Sequence, residues 1–400
     1  MTDLSVAIND TRSAQSVAQP TLHLPRSEDF LLWPPCLQSY GYRIVDQLFA
    51  TRTVARGAAV RELPRGSEVR VQYQSEGVSR ELPEFMDRNN VAGLLAIRDG
   101  RVVLERYGLG FQPHERWSTM STIKSMTALL VGAALQDGAI HSIDDPVTRY
   151  LPAMQGCAYE QVTVRHLMTM CSGMEWTEDY TDKQSDVNRY SKSLADKVPG
   201  GVLALLRQCR RLHAPGAVWH YNTGDTYLLG ALISAATGST LADYLSRKIW
   251  QPYGMEFDAF YTLESENGQE IGGSRAGMAL RDLGRLGQFV LDDGVINGAR
   301  VLPEGWIDQA GAVAHNVPEA FHSASRQSLG LTGYGYSWWL REDGAMMAMG
   351  HSGQRIFIDR DKGLVVVQLA AYPEPRYVSA NEPDRDAELN SVIAAIRDAE

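Results

Sequence analysis

Ser121-Thr122-Ile123-Lys124 leads into an apolar run (Met126, Ala128, Leu129, Leu130, Val131, Ala133, Ala134, Leu135) that stops at Asp137-Gly138. Apolar residues on nearly every face predict a buried helix over Ser125 to Gln136, with a glycine just past its end. On a helix, residues three apart stack on one face, so the Ser121 hydroxyl and the Lys124 ammonium can point into the same cavity. A neutral serine is a poor nucleophile and needs a base within hydrogen-bond reach. Lysine serves when burial or a nearby cation lowers its pKa enough to leave part of it neutral. Ser121 is then expected near the helix N-terminus, where the helix dipole favours developing negative charge. The spacing alone also fits a serine cap followed by a surface lysine. Its company decides between them.

Farther along, Pro215-Gly216-Ala217-Val218-Trp219-His220-Tyr221-Asn222-Thr223-Gly224 reads as a loop rich in turn formers, leading into an apolar helix from Tyr227 to Ala236. Tyr221 could relay a proton between Ser121 and a leaving group; the bland alternative is a tyrosine at the edge of the core. Near the C-terminal end, Gly350-His351-Ser352-Gly353-Gln354 interrupts a strand-like run from Met346 to Ile358. Glycine within a strand marks close approach of a ligand or another backbone. An edge strand beside the nucleophile could supply one N–H to an oxyanion hole, with the Ser121 N–H as the other donor.

These motifs keep an order shared with several others: Gly138-Ala139-Ile140, Asp144-Asp145-Pro146-Val147, Tyr150-Leu151-Pro152, Val162-Thr163-Val164-Arg165-His166-Leu167-Met168 and Ser172-Gly173-Met174. From roughly Val91 to Leu369 the chain thereby resembles the serine β-lactamase/penicillin-binding-protein superfamily. The likeness is to its class C-like branch of β-lactamases, esterases, D-aminopeptidases and 6-aminohexanoate-dimer hydrolases. The resemblance implies Ser121 as acylated nucleophile, Lys124 as its proton partner and Tyr221 as general acid/base. It sets His351-Ser352-Gly353 in place of the family's Lys-Thr-Gly strand motif. Two departures argue against an efficient β-lactamase. Thr223 stands where the tyrosine motif usually has asparagine, with Asn222 one place early. His351, neutral or weakly charged near pH 7, replaces the lysine that binds a β-lactam carboxylate.

Within the superfamily the chain looks most like the 6-aminohexanoate-dimer-hydrolase group. Trp33-Pro34-Pro35, Leu48-Phe49-Ala50-Thr51-Arg52, Val54-Ala55-Arg56-Gly57, Glu62-Leu63-Pro64, Glu178-Asp179-Tyr180 and Tyr334-Gly335-Tyr336-Ser337-Trp338-Trp339 carry that likeness. Tyr180 is expected to line the substrate pocket, a packing tyrosine being the alternative. Thr223, His351, Ser352, Gly353 and Gln354 complete the expected substrate-binding set. The Gln354 amide is expected as oxyanion donor, or His351 if the register slips. The resemblance implies a serine hydrolase that cleaves amide bonds of small linear substrates through an acyl-enzyme on Ser121. A carboxylesterase of the same fold, or a non-catalytic binding member of it, is the alternative.

Composition agrees. The 400 residues are 44% hydrophobic and 22% charged, as in an ordinary globular enzyme with a large core. A net charge of −10 disfavours nucleic acid and anionic membranes as partners, leaving a small-molecule amide or ester as the expected partner. A homo-oligomer is compatible with the pattern, which does not demand one. Met1 to Gln19 are polar and no run approaches the length of a spanning helix, so the chain as given is expected in the cytoplasm. Cys36, Cys157, Cys171 and Cys209 are widely spaced and read as reduced thiols. The nine histidines show no metal-binding spacing. No Walker sequence, complete dinucleotide loop or G-x-S-x-G occurs, and the reading calls for no metal and no cofactor.

The expected fold is α+β. One antiparallel sheet is built from both halves of the chain and backed by terminal helices, with an all-helical domain inserted. Residues 1–25 read as a mobile tail, 26–116 and 270–400 as a discontinuous α/β domain, and 117–269 as the helical domain carrying the nucleophile. Val91 to Ile97 and Val102 to Tyr107 flank Asp99-Gly100, a two-residue hairpin signal. Helices are expected over Ala279 to Leu291 and Ala387 to Ala399. Strands are expected around Tyr334–Leu340, Met346–Ile358 and Leu364–Ala371. The active site would lie in the cleft between the two parts.

Overall fold

The computed structural model describes residues 27–319, 321, 323–372 and 384–399. The tail expected over residues 1–25 lies outside the described residues. The main sheet has eight antiparallel strands. Two precede the nucleophile, β1 (Val91–Arg98) and β2 (Arg101–Tyr107). Six follow the helical region: β3 (His315–Asn316), β4 (Leu331–Tyr334), β5 (Trp339–Arg341), β6 (Met346–Gly350), β7 (Gln354–Asp359) and β8 (Leu364–Ala370). Their spatial order is β3-β4-β5-β6-β7-β8-β1-β2. The last strand pairs with the first through Val365↔Ile97, Val366↔Ala96 and Val367↔Leu95, which closes the chain's two halves into one sheet. Asp99 and Gly100 both have positive φ, the conformation that a two-residue turn needs to match strand twist.

β1 is apolar at successive positions because both of its faces are covered. Side chains alternate across a strand, so Leu95 and Ile97 enter one core and Leu94 and Ala96 another. The Leu280–Leu291 helix covers the first face with Leu283, Leu286 and Phe289. It lies close, since a Cβ at Gly287 would meet Val365 at 2.4 Å. The Arg385–Asp398 helix covers the second face with Leu389, Val392, Ile393 and Ile396. Both helices match the sequence expectation to within two residues.

Three features differ. The run Met346 to Ile358 is a hairpin, β6 turning into β7 with Gly350 opposite Gln354, and these strands lie inside the sheet rather than at its edge. Tyr334–Leu340 is likewise divided, with Ser337 at φ 59° in the turn between β4 and β5. A second antiparallel sheet joins Thr51–Val54, Ala259–Thr262, Ala276–Met278 and Trp117–Ser118. The region 117–269 therefore carries a short strand near each end. Strands this short show no readable alternation.

Between those strands the chain is helical. The Ile123–Gln136 helix packs against Thr223–Thr237, with twelve of its residues buried from Ile123 to Ala134. Asp137 follows, and Gly138 at φ 75° turns the chain away. Among the described residues no single helix is long and apolar enough to cross a membrane. The bent pair Thr223–Thr237 and Leu241–Trp250 has the composition, but its apolar residues are core. Cys157, Cys171 and Cys209 are free thiols.

Candidate active site

Ser121 sits in a single 3₁₀ turn, Met120–Thr122, that runs directly into the Ile123–Gln136 helix. The residue before it, Met120, is buried at φ 48°. A non-glycine residue in that region stores strain on the order of 1–3 kcal/mol and persists only when its surroundings hold it. Here the end of β6 holds it: a Cβ at Gly350 would stand 2.8 Å from the Thr119 carbonyl oxygen and 3.0 Å from Met120 Cβ. The close approach that a glycine in this strand implied is thus an approach to the nucleophile turn.

Lys124 is the second residue of the helix and is 2% exposed. Its Nζ donates to Ser121 Oγ at 3.0 Å, to Thr223 Oγ1 at 3.2 Å and to the Gly273 carbonyl. Three acceptors take its three protons and no carboxylate is among them. Burial lowers its pKa to about 8, against the opposing influence of the Glu178 charge. Gly273 comes this close because it has no side chain; a Cβ would meet the Thr223 carbonyl oxygen at 2.9 Å.

Tyr221 completes the cluster. Its phenol is hydrogen-bonded to Ser121, and its pKa is raised by burial first and then by the Glu178 charge. Its ring lies 5.1 Å from Lys124 Nζ and stacks at 5.8 Å on Trp339, the second member of the tryptophan pair. Trp338 points into the opposite core. The loop before Tyr221 ends in Asn222, whose Oδ1 accepts from the Asp225 N–H at 3.1 Å and caps the Thr223–Thr237 helix. The two residues have separate duties: Asn222 starts the helix, and Thr223 turns its hydroxyl to Lys124.

Glu178 stands at the site, and the sequence reading gave it no role. Its Oε1 accepts from the Thr223 N–H at 2.6 Å and from Trp176 Nε1 at 2.8 Å, and its Oε2 accepts from the Tyr180 hydroxyl at 3.1 Å. One carboxylate therefore fixes both Thr223 and Tyr180 while it biases Lys124 and Tyr221. Its only sequence signal was its place beside Tyr180.

Ser121, Thr223, Tyr180 and His351 line one narrow cavity with about 30 Å³ of free space, together with Arg275 and Tyr190. The His351 ring meets Tyr180 edge-on at 5.2 Å. The rest of the expected set does not reach the cavity with its side chains. Ser352, at φ 58°, accepts from the Tyr42 hydroxyl at 2.9 Å and contacts His351 Nδ1 at 2.7 Å. Gly353, at φ 89°, leaves no room for a Cβ, which would meet the Tyr372 ring at 2.7 Å. Gln354 is 0% exposed, and its side-chain amide donates to the His351, Ser352 and Ala370 carbonyls while accepting from Trp117 Nε1 and the Ala370 N–H. The Gln354 side chain is a staple that holds the turn, so any contact with substrate falls to its backbone.

Known proteins resemble the chain over most of its length. The family described as Beta-lactamase matches residues 78–389. The chain is 28% identical over 305 residues to the 6-aminohexanoate-dimer hydrolase of Paenarthrobacter ureafaciens, covering 74% of this chain and 76% of that protein. It is 24% identical over 224 residues to a beta-lactamase of Yersinia enterocolitica, covering 53% of each. Among solved structures, a provisionally named 6-aminohexanoate-dimer hydrolase from Bacillus anthracis superposes with a TM-score of 0.76 at 23% identity, over 90% of this chain and 93% of the other. With the match spanning most of its length, the chain belongs to the Beta-lactamase family.

Proposed function

We propose that this protein is a serine hydrolase that cleaves amide bonds of small linear substrates, a reading supported by its similarity to a 6-aminohexanoate-dimer hydrolase. The observation that carries this reading is Lys124, with its pKa lowered to about 8 and its Nζ 3.0 Å from Ser121 Oγ. At pH 7 roughly one lysine in ten is then neutral and able to take the serine proton. The raised pKa of Tyr221 keeps its phenol protonated, so it can donate to a departing amine and then be recharged from Lys124. Ser121 attacks the carbonyl, the Ser121 and Gln354 backbone N–H groups receive the oxyanion, Tyr221 protonates the leaving group, and water releases the acyl group. The approach of Gly350 to Thr119 and Met120 supports that pairing of amides, because it brings the β6–β7 turn against the nucleophile turn.

The site draws on the helical region through Ser121, Lys124 and Tyr221, and on the sheet region through His351 and Gln354. This supports the division into an inserted helical domain and a discontinuous α/β domain. The free thiols of Cys157, Cys171 and Cys209 fit a reducing compartment such as the cytoplasm.

The test is parallel hydrolysis of a linear ω-amino-acid amide, a p-nitrophenyl ester and a chromogenic cephalosporin by the wild type and Ser121→Ala. Amide turnover that disappears in the variant supports the reading. Ester turnover without amide turnover would make the protein an esterase.

A further inference from the structure

Asp225 is a buried acid that the acyl-transfer chemistry does not use. It is 0% exposed and stands in the first turn of the Thr223–Thr237 helix. Its Oδ1 accepts from the Tyr159 hydroxyl at 2.8 Å and from Asn222 Nδ2 at 3.0 Å, while its own N–H donates to Asn222 Oδ1 at 3.1 Å. One residue therefore grips the Asn222 amide at both ends. Asn222 in turn links Tyr221, bonded to Ser121, with Thr223, bonded to Lys124. A helix cap needs only the bond to the backbone N–H; the bond to Oδ1 sets a carboxylate where charge is penalised. Among the described residues Oδ2 is buried without a hydrogen bond, although the Ser172 hydroxyl is close enough to favour the charged form. The titratable groups packed round it are Tyr159 from the Ala158–Gln161 turn, Cys171 and Cys209 beyond the ends of two helices, and Glu178. None of these is a cation. Burial raises its pKa to about 7, against the opposing influence of Ser172 and Tyr159. A buried acid without a counter-ion is costly and needs an explanation.

We propose that Asp225 is a positioning residue: its carboxylate holds Asn222, and through it Tyr221 and Thr223, against Ser121 and Lys124, and the hold loosens when Asp225 takes up a proton. A charged oxygen accepts more strongly than a carboxyl or amide oxygen, so the ionised form fixes the Asn222 side chain most firmly. Tyr159 remains a donor throughout, because burial raises its pKa well above the ordinary value. The folded pKa of Asp225 lies above the ordinary aspartate range, so folding favours its protonated form. The stability this contributes is full below about pH 4 and is lost as pH rises to about 7. The fold thus gives up stability at neutral pH to keep a charge under the Tyr221–Thr223 segment, a trade made for function rather than for packing. The inference rests on the serine-hydrolase reading only for the effect on turnover.

Two measurements separate the proposal from that reading. The first needs no turnover and records Tm and amide hydrogen exchange for the wild type and Asp225→Asn, which keeps the acceptor and removes the charge. The Tm of the variant relative to the wild type should rise as pH goes from about 4 to 7 and level off above. At pH 8 the amides of residues 221–225 should nevertheless exchange several-fold faster in the variant. Tyr159→Phe, which removes one donor, should also speed that exchange and decides the matter if Asp225→Asn fails to fold. A Tm difference that does not change with pH, or unaltered exchange in the segment, overturns the proposal. The second follows kcat/KM for a p-nitrophenyl ester against pH. Asp225→Asn should lower it by about tenfold above pH 8, the difference between a charged and a neutral acceptor. The wild-type profile should steepen below pH 7, and the variant's should not. Tyr159 favours the charged form of Asp225, so Tyr159→Phe should move the steepening to higher pH. A variant with the wild-type rate and profile overturns the proposal. Should the wild type hydrolyse neither ester nor amide, the hydrolase reading fails and the exchange measurement still decides the role of Asp225.

Discussion

Thr223 Oγ1 lies 3.2 Å from Lys124 Nζ, joining residues 99 apart in sequence at the position where the family pattern usually has asparagine. The hydroxyl gives the lysine an acceptor without a charge, so it orients the amine while burial keeps the pKa low. Thr223→Val keeps the shape and removes the acceptor. Hydrogen bonds to charged groups contribute roughly 1.5–3 kcal/mol, so kcat/KM should fall by about 10- to 100-fold. Thr223→Ser should retain most of the activity. Ester hydrolysis by the two variants, with circular dichroism to verify folding, checks this.

The pH profile should carry the signature of Lys124. Its folded pKa, about 8, lies below the ordinary lysine value, so the neutral base grows as pH rises through that point. kcat/KM is expected to climb with a midpoint near pH 8. The Glu178 charge raises the pKa of Lys124, so Glu178→Gln, which keeps an acceptor for the Thr223 N–H, should move the midpoint to lower pH. An unmoved midpoint, or one that moves up, would show that the titrating base is not Lys124.

The cluster of Ser121, Lys124 and Tyr221, proposed as catalytic, was readable because each member stands in a local pattern that physics interprets. Ser121 and Lys124 are three residues apart where a 3₁₀ turn enters the helix, and Tyr221 sits in a turn-rich loop before an apolar helix. The main strands were readable for the same reason: β1 and β8 are apolar runs long enough to demand burial on both faces. What failed was tertiary. The small sheet depends on pairings such as Thr51↔Thr262 and Ser118↔Gly277, made by strands of two to four residues. Glu178 meets Thr223 and Trp176 only in the fold, and the motif it stands in, Glu178-Asp179-Tyr180, drew the reading to Tyr180 instead. Gly350 and Gly353 signalled a close approach correctly, but whether the approach was to a ligand or to backbone could be settled only by seeing Thr119 and Tyr372 beside them.

Gln354 offers a test of structure apart from chemistry. Its side chain spans the turn, β8 and the Trp117 indole with five hydrogen bonds. Gln354→Ala leaves buried donors and acceptors unpaired and opens a void, and should destabilise the fold by about 2–4 kcal/mol. Its backbone N–H is retained, so any loss of turnover should come with loosening of the turn. Chemical denaturation alongside single-turnover kinetics measures both. Unaltered stability would contradict the staple.

The central claim is a covalent bond at Ser121. The direct measurement is intact-protein mass spectrometry with peptide mapping after exposure to a fluorophosphonate, alongside amide hydrolysis by wild type and Ser121→Ala. A single adduct on the peptide containing Ser121, absent from the variant together with its turnover, is the predicted result. Loss of the nucleophile should cost on the order of 10⁴ or more in rate. Hydrolysis persisting at the wild-type rate in Ser121→Ala, or an adduct on a different residue, would contradict it.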